Sequence, residues 1–196
     1  MKHIGRKLYH LFGGLGLLSL YYLLGRERAL LIYSALFLIV LVVDITRLKV
    51  PAFNQFIYSR FGSFIRPNEA NKLTGTAPYV LGIGLTLMLY RTDIATAAIC
   101  FLAFGDVAAT TFGERYGKTK IGQKSLEGTA AFVVAAVAAG FLLSFAGIAL
   151  MPGLILIGAI VAAGVELLPQ RVNDNLVIPL VSGGVMELIS RATGCS

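Results

Sequence analysis

The segment Gly128–Val165 limits the fold more than any other part of the sequence, because it contains no charged residue. As a single α-helix, its 38 residues would extend about 57 Å, nearly twice the thickness of the hydrocarbon core of a bilayer. The segment must therefore fold back on itself. Gly147 and Pro152 weaken a helix, so we expect the turn between residues 144 and 153. The two halves are predicted to be two membrane-spanning helices.

The rest of the chain has the composition of a polytopic membrane protein. Of its 196 residues, 57% are hydrophobic and 14% are charged, whereas soluble domains are about 25% charged. Apolar runs separated by short polar segments predict seven spans: Leu8–Leu24, Ala29–Thr46, Thr76–Tyr90, Ile94–Phe112, two within Gly128–Val165, and Leu176–Ser190. We therefore expect an all-α polytopic helical bundle that forms a single transmembrane domain over residues 1–196. The first span is too long for a removed signal peptide.

The distribution of Lys and Arg predicts the orientation of this bundle. With the N-terminus in the cytoplasm, 13 of the 17 basic residues fall in cytoplasmic segments and 4 fall outside. Such a bias follows the positive-inside rule. We therefore expect the N-terminus inside, the C-terminus outside, and cytoplasmic elements at about residues 47–75, 113–127 and 167–175. The net charge of +7 is too small and too scattered for a nucleic-acid partner.

The first of these cytoplasmic elements contains an amphipathic pattern over Val50–Arg66. Its large apolar residues follow helical spacing, and its polar residues fall on the opposite side. This pattern predicts one interfacial helix that lies on the inner membrane surface.

Four carboxylates lie within or at the ends of apolar spans, where a charge costs about 2–3 kcal/mol at a helix centre. They are Asp44, Asp106, Glu166 and Glu187. Asp44 and Glu187 each precede an arginine by three or four residues, so a local ion pair accounts for either of them. Asp106 and Glu166 have no basic residue so close. Their partners must be ions, ligands or another helix.

The cytoplasmic segment Gly113–Gly128 combines four glycines, hydroxyl groups and four basic residues. Glycines let the backbone approach a ligand, and Lys and Arg neutralise phosphate oxygens. A polyphosphate site and a basic loop that only anchors the topology both fit this composition. The run Gly113–Thr119 resembles a Walker A loop but is one residue short and follows an apolar helix rather than a strand, which excludes a P-loop.

The last cytoplasmic segment adds Asp174 and Asn175 to Glu166. Carboxylate and amide oxygens suit Mg²⁺, which takes one or two protein carboxylates together with substrate phosphates. Taken alone, residues 173–175 are more typical of a turn and the N-cap of the seventh span. Because these residues share the cytoplasmic side with the glycine-lysine segment, we favour the metal site.

Several short motifs are distributed along nearly the whole chain. They are Arg6-Lys7 with His10, Arg66 with Glu69, Leu73-Thr74-Gly75, Gly105-Asp106 with Ala108-Ala109, Gly113 with Gly117, Lys124-Ser125 with Glu127-Gly128-Thr129, and Glu166 with Asp174-Asn175. Together they resemble the CTP-dependent lipid-alcohol kinase family, which includes phytol kinase, dolichol kinase and the yeast-type diacylglycerol kinase. Thr76-Ala77 reverses the family's commoner order. The short length is similar to prokaryotic members, which implies a prokaryotic plasma membrane.

The resemblance implies phosphoryl transfer from CTP to a lipid alcohol, with Mg²⁺ or another divalent cation. The alcohols it implies are phytol, geranylgeraniol, a polyprenol and diacylglycerol. The implied roles are catalytic for Asp106, Lys124 and Glu127; metal-binding for Asp106, Glu166 and Asp174; nucleotide-binding for Arg115, Gly117, Lys118, Lys120, Ser125, Gly128 and Asn175; and lipid- or nucleotide-binding for Arg6, His10, Arg66 and Glu69. Glu127 is expected to orient Lys124 or the metal. Glu166 and Asp174 are alternatives for the base.

Two other functions, a CDP-lipid synthase and a small transporter, each fit part of the sequence. CDP-lipid synthases have a similar loop, but they also carry an H-G-G-x-x-D-R-x-D signature near the C-terminus, and the histidines here are His3 and His10 alone. A small transporter with an ion site at the membrane midplane would explain the intramembrane carboxylates. It would not explain a cytosolic segment rich in glycine and lysine. The kinase is therefore the favoured prediction.

Overall fold

A computed structural model describes residues 4–62, 65, 69, 71–168 and 172–194, with the side chains of Ile4 and Arg6 left out. Eight helices account for most of this described part: α1 Ile4–Leu24, α2 Arg26–Lys49, α3 Pro51–Phe61, α4 Thr76–Leu89, α5 Thr92–Tyr116, α6 Leu126–Phe145, α7 Pro152–Leu167 and α8 Asp174–Ala192. Two short strands, β1 Lys120–Ile121 and β2 Lys124–Ser125, pair antiparallel. Helices α2, α5 and α6 are long and apolar enough to cross a membrane, and α4 and α7 are shorter apolar helices. The prediction of an all-α membrane bundle is confirmed, whereas the number of spans stays a prediction.

The turn predicted inside the long uncharged segment is confirmed. Helix α6 ends at Phe145 and α7 begins at Pro152. Gly147 adopts a φ of +92° in the connection, a left-handed conformation that glycine tolerates without steric cost. Pro152 occupies the first turn of α7, where its missing N–H is not needed.

Helices α2 and α5 extend beyond the predicted spans. Helix α5 continues to Tyr116, one turn past the predicted end at Phe112, and α2 reaches Lys49 rather than Thr46. Hydropathy marks only the part of a helix that lies in lipid, whereas the backbone hydrogen bonds continue through charged residues that water can solvate. The segment predicted as a loop after Phe112 is therefore helical in its first turn.

The chain divides into two compact units, Met1–Gly84 and Leu85–Ser196. In the first unit, α2 packs against both α1 and α3. Two buried tyrosines bridge its elements through hydroxyl groups: Tyr33 donates to the carbonyl oxygen of Leu17, and Tyr79 donates to that of His10. These bonds satisfy polar groups that would otherwise be costly inside an apolar unit.

The predicted ion pair of Asp44 is confirmed, and it belongs to a larger network. Arg47, only 1% exposed, donates from Nε to Asp44 Oδ1 at 3.0 Å and from its Nη atoms to Asn54 and to the carbonyl oxygens of residues 69 and 72. Asp44 Oδ2 accepts from both the amide and the hydroxyl of Thr74, each at 2.8 Å. The pair therefore fixes the segment before α4 to the end of α2.

Helix α3 corresponds to the predicted interfacial helix but is shorter, ending at Phe61. The predicted continuation to Arg66 falls largely outside the described residues. No residue of α3 is buried, and Phe56 and Phe61 are both more than half exposed. Its position at the membrane surface stays a prediction.

In the second unit, α5 is the central helix and packs against α6, α7 and α8. At the start of α5, Glu187 accepts the Arg91 amide at 3.2 Å, and Arg91 Nη1 donates to Ser190 Oγ at 3.0 Å. Glu187 also pairs with Arg191 at 2.9 Å. The local ion pair predicted for Glu187 is therefore confirmed. The bonds of Glu187 and Ser190 to Arg91 also join α8 to the start of α5.

Candidate active site

Helices α5 and α6 cross at very short range where the basic segment connects them. The close approach depends on three glycines. A Cβ atom on Gly128 would lie 2.8 Å from the carbonyl oxygen of Ala109 and 3.3 Å from the Cα of Gly113, and one on Gly117 would lie 2.6 Å from Ser125 Oγ. Ser125 is 3% exposed and caps α6 by accepting the Gly128 amide at 3.1 Å. These residues therefore form a packed helix crossing.

This crossing changes the interpretation of the glycine motif. The sequence predicted that Gly117, Ser125 and Gly128 contact the nucleotide. Their described contacts are instead with the backbone and side chains of the crossing itself. The lack of a side chain at Gly117 and Gly128 permits the close packing of this crossing, and contact of these residues with a nucleotide stays a prediction.

The connection between α5 and α6 contains a small hairpin that the sequence did not predict. Lys120 pairs with Ser125 and Ile121 with Lys124, with a two-residue turn between the strands. Gly122 supplies a φ of +60° in that turn, as tight hairpin turns require. Because successive strand residues point to opposite faces, Ser125 faces the helix crossing while Lys124 faces away from it.

Glu127 closes the base of this hairpin. Its two carboxylate oxygens accept the amide of Thr119 at 3.0 and 3.2 Å, and the Leu126 amide donates to the Thr119 carbonyl at 3.0 Å. A carboxylate in the first turn of α6 also lies at the positive end of the helix dipole. Glu127 therefore holds the backbone of the hairpin that carries Lys124, and its expected role in orienting Lys124 or the metal stays a prediction.

Lys124 joins three parts of the second unit that are distant in sequence. Its Nζ lies 3.0 Å from Glu166 Oε1 and 3.8 Å from Asp174 Oδ2, and it also donates to the Glu166 carbonyl oxygen. The side chains are 30%, 7% and 14% exposed respectively. The hairpin is thereby connected to the end of α7 and the start of α8. We call Lys124, Glu166 and Asp174 the lysine–carboxylate cluster.

Asp106 and Asn175 lie beside this cluster. Asp106 is half-buried on α5, and its carboxylate interacts electrostatically with Glu166. Among the described residues the Asp106 carboxylate makes no hydrogen bond or ion pair, whereas its backbone carbonyl oxygen accepts from the Thr110 hydroxyl at 2.7 Å. Asn175 is 1% exposed, and Asn173 Oδ1 accepts its amide at 3.0 Å. Asn173 is thus the N-cap of α8, so the capping interpretation of residues 173–175 is confirmed.

The predicted metal ligands fit a divalent cation that is also bound by phosphate. No three His, Cys, Asp or Glu side chains in the described ranges are grouped tightly enough to hold a metal ion by themselves. Mg²⁺ commonly takes one or two protein carboxylates and fills its other positions with water and substrate phosphates. Glu166 and Asp174 supply such a pair, with Asp106 nearby. Metal binding by these three residues stays a prediction.

Three further basic residues of the predicted nucleotide set are exposed to solvent. They are Arg115, Lys118 and Lys120, and none of them forms an ion pair within the part of the chain that is described. Arg115 lies over the ring of Tyr116, with 5.3 Å between the guanidinium carbon and the ring centroid. These side chains are free to neutralise phosphate oxygens.

The remaining predicted residues belong to the first unit. His10 is 5% exposed, with its ring centroid 4.8 Å from that of Tyr79, and Glu69 is 8% exposed. Arg66 and the side chain of Arg6 lie outside the described residues. Lys7 of the Arg6-Lys7 motif received no role from the sequence, and its side chain is 4% exposed. The spacing of a motif does not show that one of its lysines is buried.

Comparison with known proteins finds three related kinases. The chain is 28% identical over 218 residues to CTP-dependent diacylglycerol kinase 1 of Saccharomyces cerevisiae, covering 96% of this chain and 74% of that protein. It is 29% identical over 161 residues to the Schizosaccharomyces pombe protein of that name, covering 74% of each. A match to the Eremothecium gossypii protein is 36% identical but covers 50% of this chain and 32% of that protein. No family model and no solved structure matches. These relatives support the CTP-dependent lipid kinase family that the sequence motifs resemble.

Proposed function

We propose that this protein transfers the terminal phosphoryl group of CTP to the hydroxyl group of a lipid alcohol, and that diacylglycerol is the first acceptor to test. The similarity to diacylglycerol kinases over 96% of the chain carries this proposal. It extends across the lysine–carboxylate cluster, the hairpin and every apolar helix. Isoprenoid alcohols stay alternative acceptors, because a lipid with a single hydroxyl at the interface presents the same reacting group.

The reaction requires charge neutralisation and positioning rather than covalent catalysis. The lipid oxygen attacks the γ-phosphorus, the bond from that phosphorus to the β-phosphate oxygen breaks, and CDP leaves. The hydroxyl proton passes to a carboxylate or to water. When bound, a divalent cation neutralises charge on the phosphate oxygens.

The exposed cations Arg115, Lys118 and Lys120 are suited to hold the triphosphate, since they carry positive charge on one short segment. Lys124 is suited to reach the transferred group, since it already lies among carboxylates that a cation would bridge. Glu127 would keep the hairpin in place for both tasks through its bonds to Thr119. We place this segment in the cytoplasm, as the distribution of basic residues predicts.

Radiolabelled CTP tests the proposal directly. Purified protein in detergent micelles receives CTP labelled at either the α or the γ position, together with diacylglycerol, isoprenoid alcohols and phosphatidate. We expect only the γ label in the organic phase, CDP as the other product, and poor substitution by ATP. Label from the α position in lipid would establish nucleotidyl transfer instead, and absence of label from both would refute the proposal.

A pair of variants serves as the control. Asp106→Asn removes a carboxylate of the candidate site, whereas Glu187→Gln removes one that is bound to Arg91 and Arg191. Both lie in apolar helices and both lose one charge. The proposal requires the γ label to disappear in the first variant and to persist in the second.

A further inference from the structure

Lys124 occupies the position that a cation would take in the lysine–carboxylate cluster. Three oxygen atoms surround its Nζ: Oε1 and the carbonyl oxygen of Glu166, and Oδ2 of Asp174. Carboxylate and carbonyl oxygens are also the ligands that hard divalent cations prefer. An ammonium group and a divalent cation compete for these oxygens, because their like charges repel at short range. Lys124 in this position therefore weakens the binding of a metal by the two carboxylates.

The helices and the strand that carry Lys124 and the two carboxylates show which side chain could move to let a metal bind. Glu166 lies at the end of α7 and Asp174 at the start of α8, so both carboxylates are fixed to helices. Lys124 lies on a two-residue strand, on a flexible side chain that is 30% exposed. The lysine is thus the mobile partner. A phosphate group near the hairpin would offer it an alternative anion of higher charge.

We infer that Lys124 makes divalent-cation binding depend on the nucleotide: it blocks the carboxylates of Glu166 and Asp174 in the free enzyme and releases them when it turns to a phosphate of the nucleotide. This inference rests on the proposed function for the identity of the nucleotide. The inference also gives the order in which the nucleotide and the cation bind. Nucleotide phosphates draw Lys124 away, and the two carboxylates then become available to the cation, so that metal and nucleotide bind with positive cooperativity.

Binding of Mn²⁺ alone to the nucleotide-free protein tests this order without any measurement of turnover. Mn²⁺ replaces Mg²⁺ as a probe because its free form is quantified by electron paramagnetic resonance. We expect weak binding to the wild-type protein and at least about tenfold tighter binding to Lys124→Met, which corresponds to about 1.4 kcal/mol. Lys120→Met is the matched control, since Lys120 lies on the same hairpin and forms no ion pair with the described residues. Its affinity should equal that of the wild type.

Two further variants show where the metal binds. Lys124→Arg retains the positive charge and should keep binding weak. Adding Glu166→Gln to Lys124→Met should remove the gain in affinity. Equal affinity in wild type and Lys124→Met would overturn the inference, as would a gain that persists without the Glu166 charge.

The wild-type protein alone supplies a second measurement in case the variants do not fold. Mn²⁺ at a concentration that saturates the wild-type protein should raise the rate at which an amine-acylating reagent modifies Lys124, relative to Lys120, as measured by mass spectrometry. An unchanged ratio at saturation would overturn the inference. The labelled-CTP assay fails or succeeds independently, so transfer of the γ label without Mn²⁺-dependent exposure of Lys124 would refute the ordering and leave the kinase activity intact.

Discussion

Replacing Gly128 by alanine distinguishes the two explanations of the glycine motif. If Gly128 serves the helix crossing, a methyl group there must separate α5 from α6. The added Cβ would lie 2.8 Å from the Ala109 carbonyl oxygen and 3.3 Å from the Gly113 Cα, whereas non-bonded carbon atoms prefer about 3.5–4.0 Å. Both neighbours are backbone atoms, so rotation of a side chain cannot relieve the contact.

The expected loss of stability follows from this geometry. Overpacking of a well-packed contact costs about 1–3 kcal/mol. For a chain of this size, each kcal/mol lowers the melting temperature by about 2–4 °C, so the shift should be about 2–12 °C. Thermal unfolding of the purified protein in micelles, followed by far-UV circular dichroism, measures it.

Gly164→Ala is the matched control, because it places the same methyl group on an apolar helix of the same unit. No atom lies within 4 Å of a Cβ at Gly164, and alanine favours a helix over glycine by up to about 1 kcal/mol. Its melting temperature should stay the same or rise. A Gly128→Ala protein that melts like the wild type but loses CTP binding would refute the packing explanation and favour direct contact with the nucleotide.

Three other predictions follow from the described contacts. Asp106→Asn and Lys124→Ala should each lower phosphoryl transfer by about 10²–10³-fold without altering the circular dichroism spectrum; wild-type turnover at saturating Mg²⁺ in the first would refute the metal site. Asp44→Ala leaves the buried Arg47 guanidinium without its carboxylate and should destabilise the protein by about 3–5 kcal/mol, so a melting temperature within 2 °C of wild type, a shift of about 1 kcal/mol at most, would contradict the network. In a cysteine-free background, an impermeant thiol reagent applied to intact cells should label a cysteine at Thr92 and not one at Lys120; the reverse would overturn the predicted orientation.

The helices could be predicted from the sequence because each depends on local information. Apolar runs of sufficient length located every long helix, and Gly147 with Pro152 located the turn inside the uncharged segment. The ion pairs Asp44–Arg47 and Glu187–Arg191 were also predictable, since residues three or four apart share a helix face. The hairpin was not predictable, because strands of two residues are too short to have a hydrophobic period.

The contacts of the candidate site depend on pairings that no local pattern encodes. Lys124 and Glu166 are 42 residues apart, and only the packing of α5, α6, α7 and α8 brings them together. The role of the motif glycines could not be read from the sequence for a different reason. A missing side chain permits the approach of a ligand or of another helix equally well, and the distances to Ala109 and Gly113 show that the helices approach each other closely at Gly128.

The charge balance of the site gives a reason to expect a bound cation, and this reason does not depend on the family resemblance. Lys124 pairs with two carboxylates, those of Glu166 and Asp174, and a third, that of Asp106, interacts electrostatically with Glu166. Burial of excess negative charge is costly unless a further positive charge is present. Near the C-terminal end of α8, by contrast, Glu187 is matched by Arg191. The site around Lys124 therefore has an excess of negative charge, whereas the charge of Glu187 is neutralised by Arg191. A divalent cation would stabilise the carboxylates of the site.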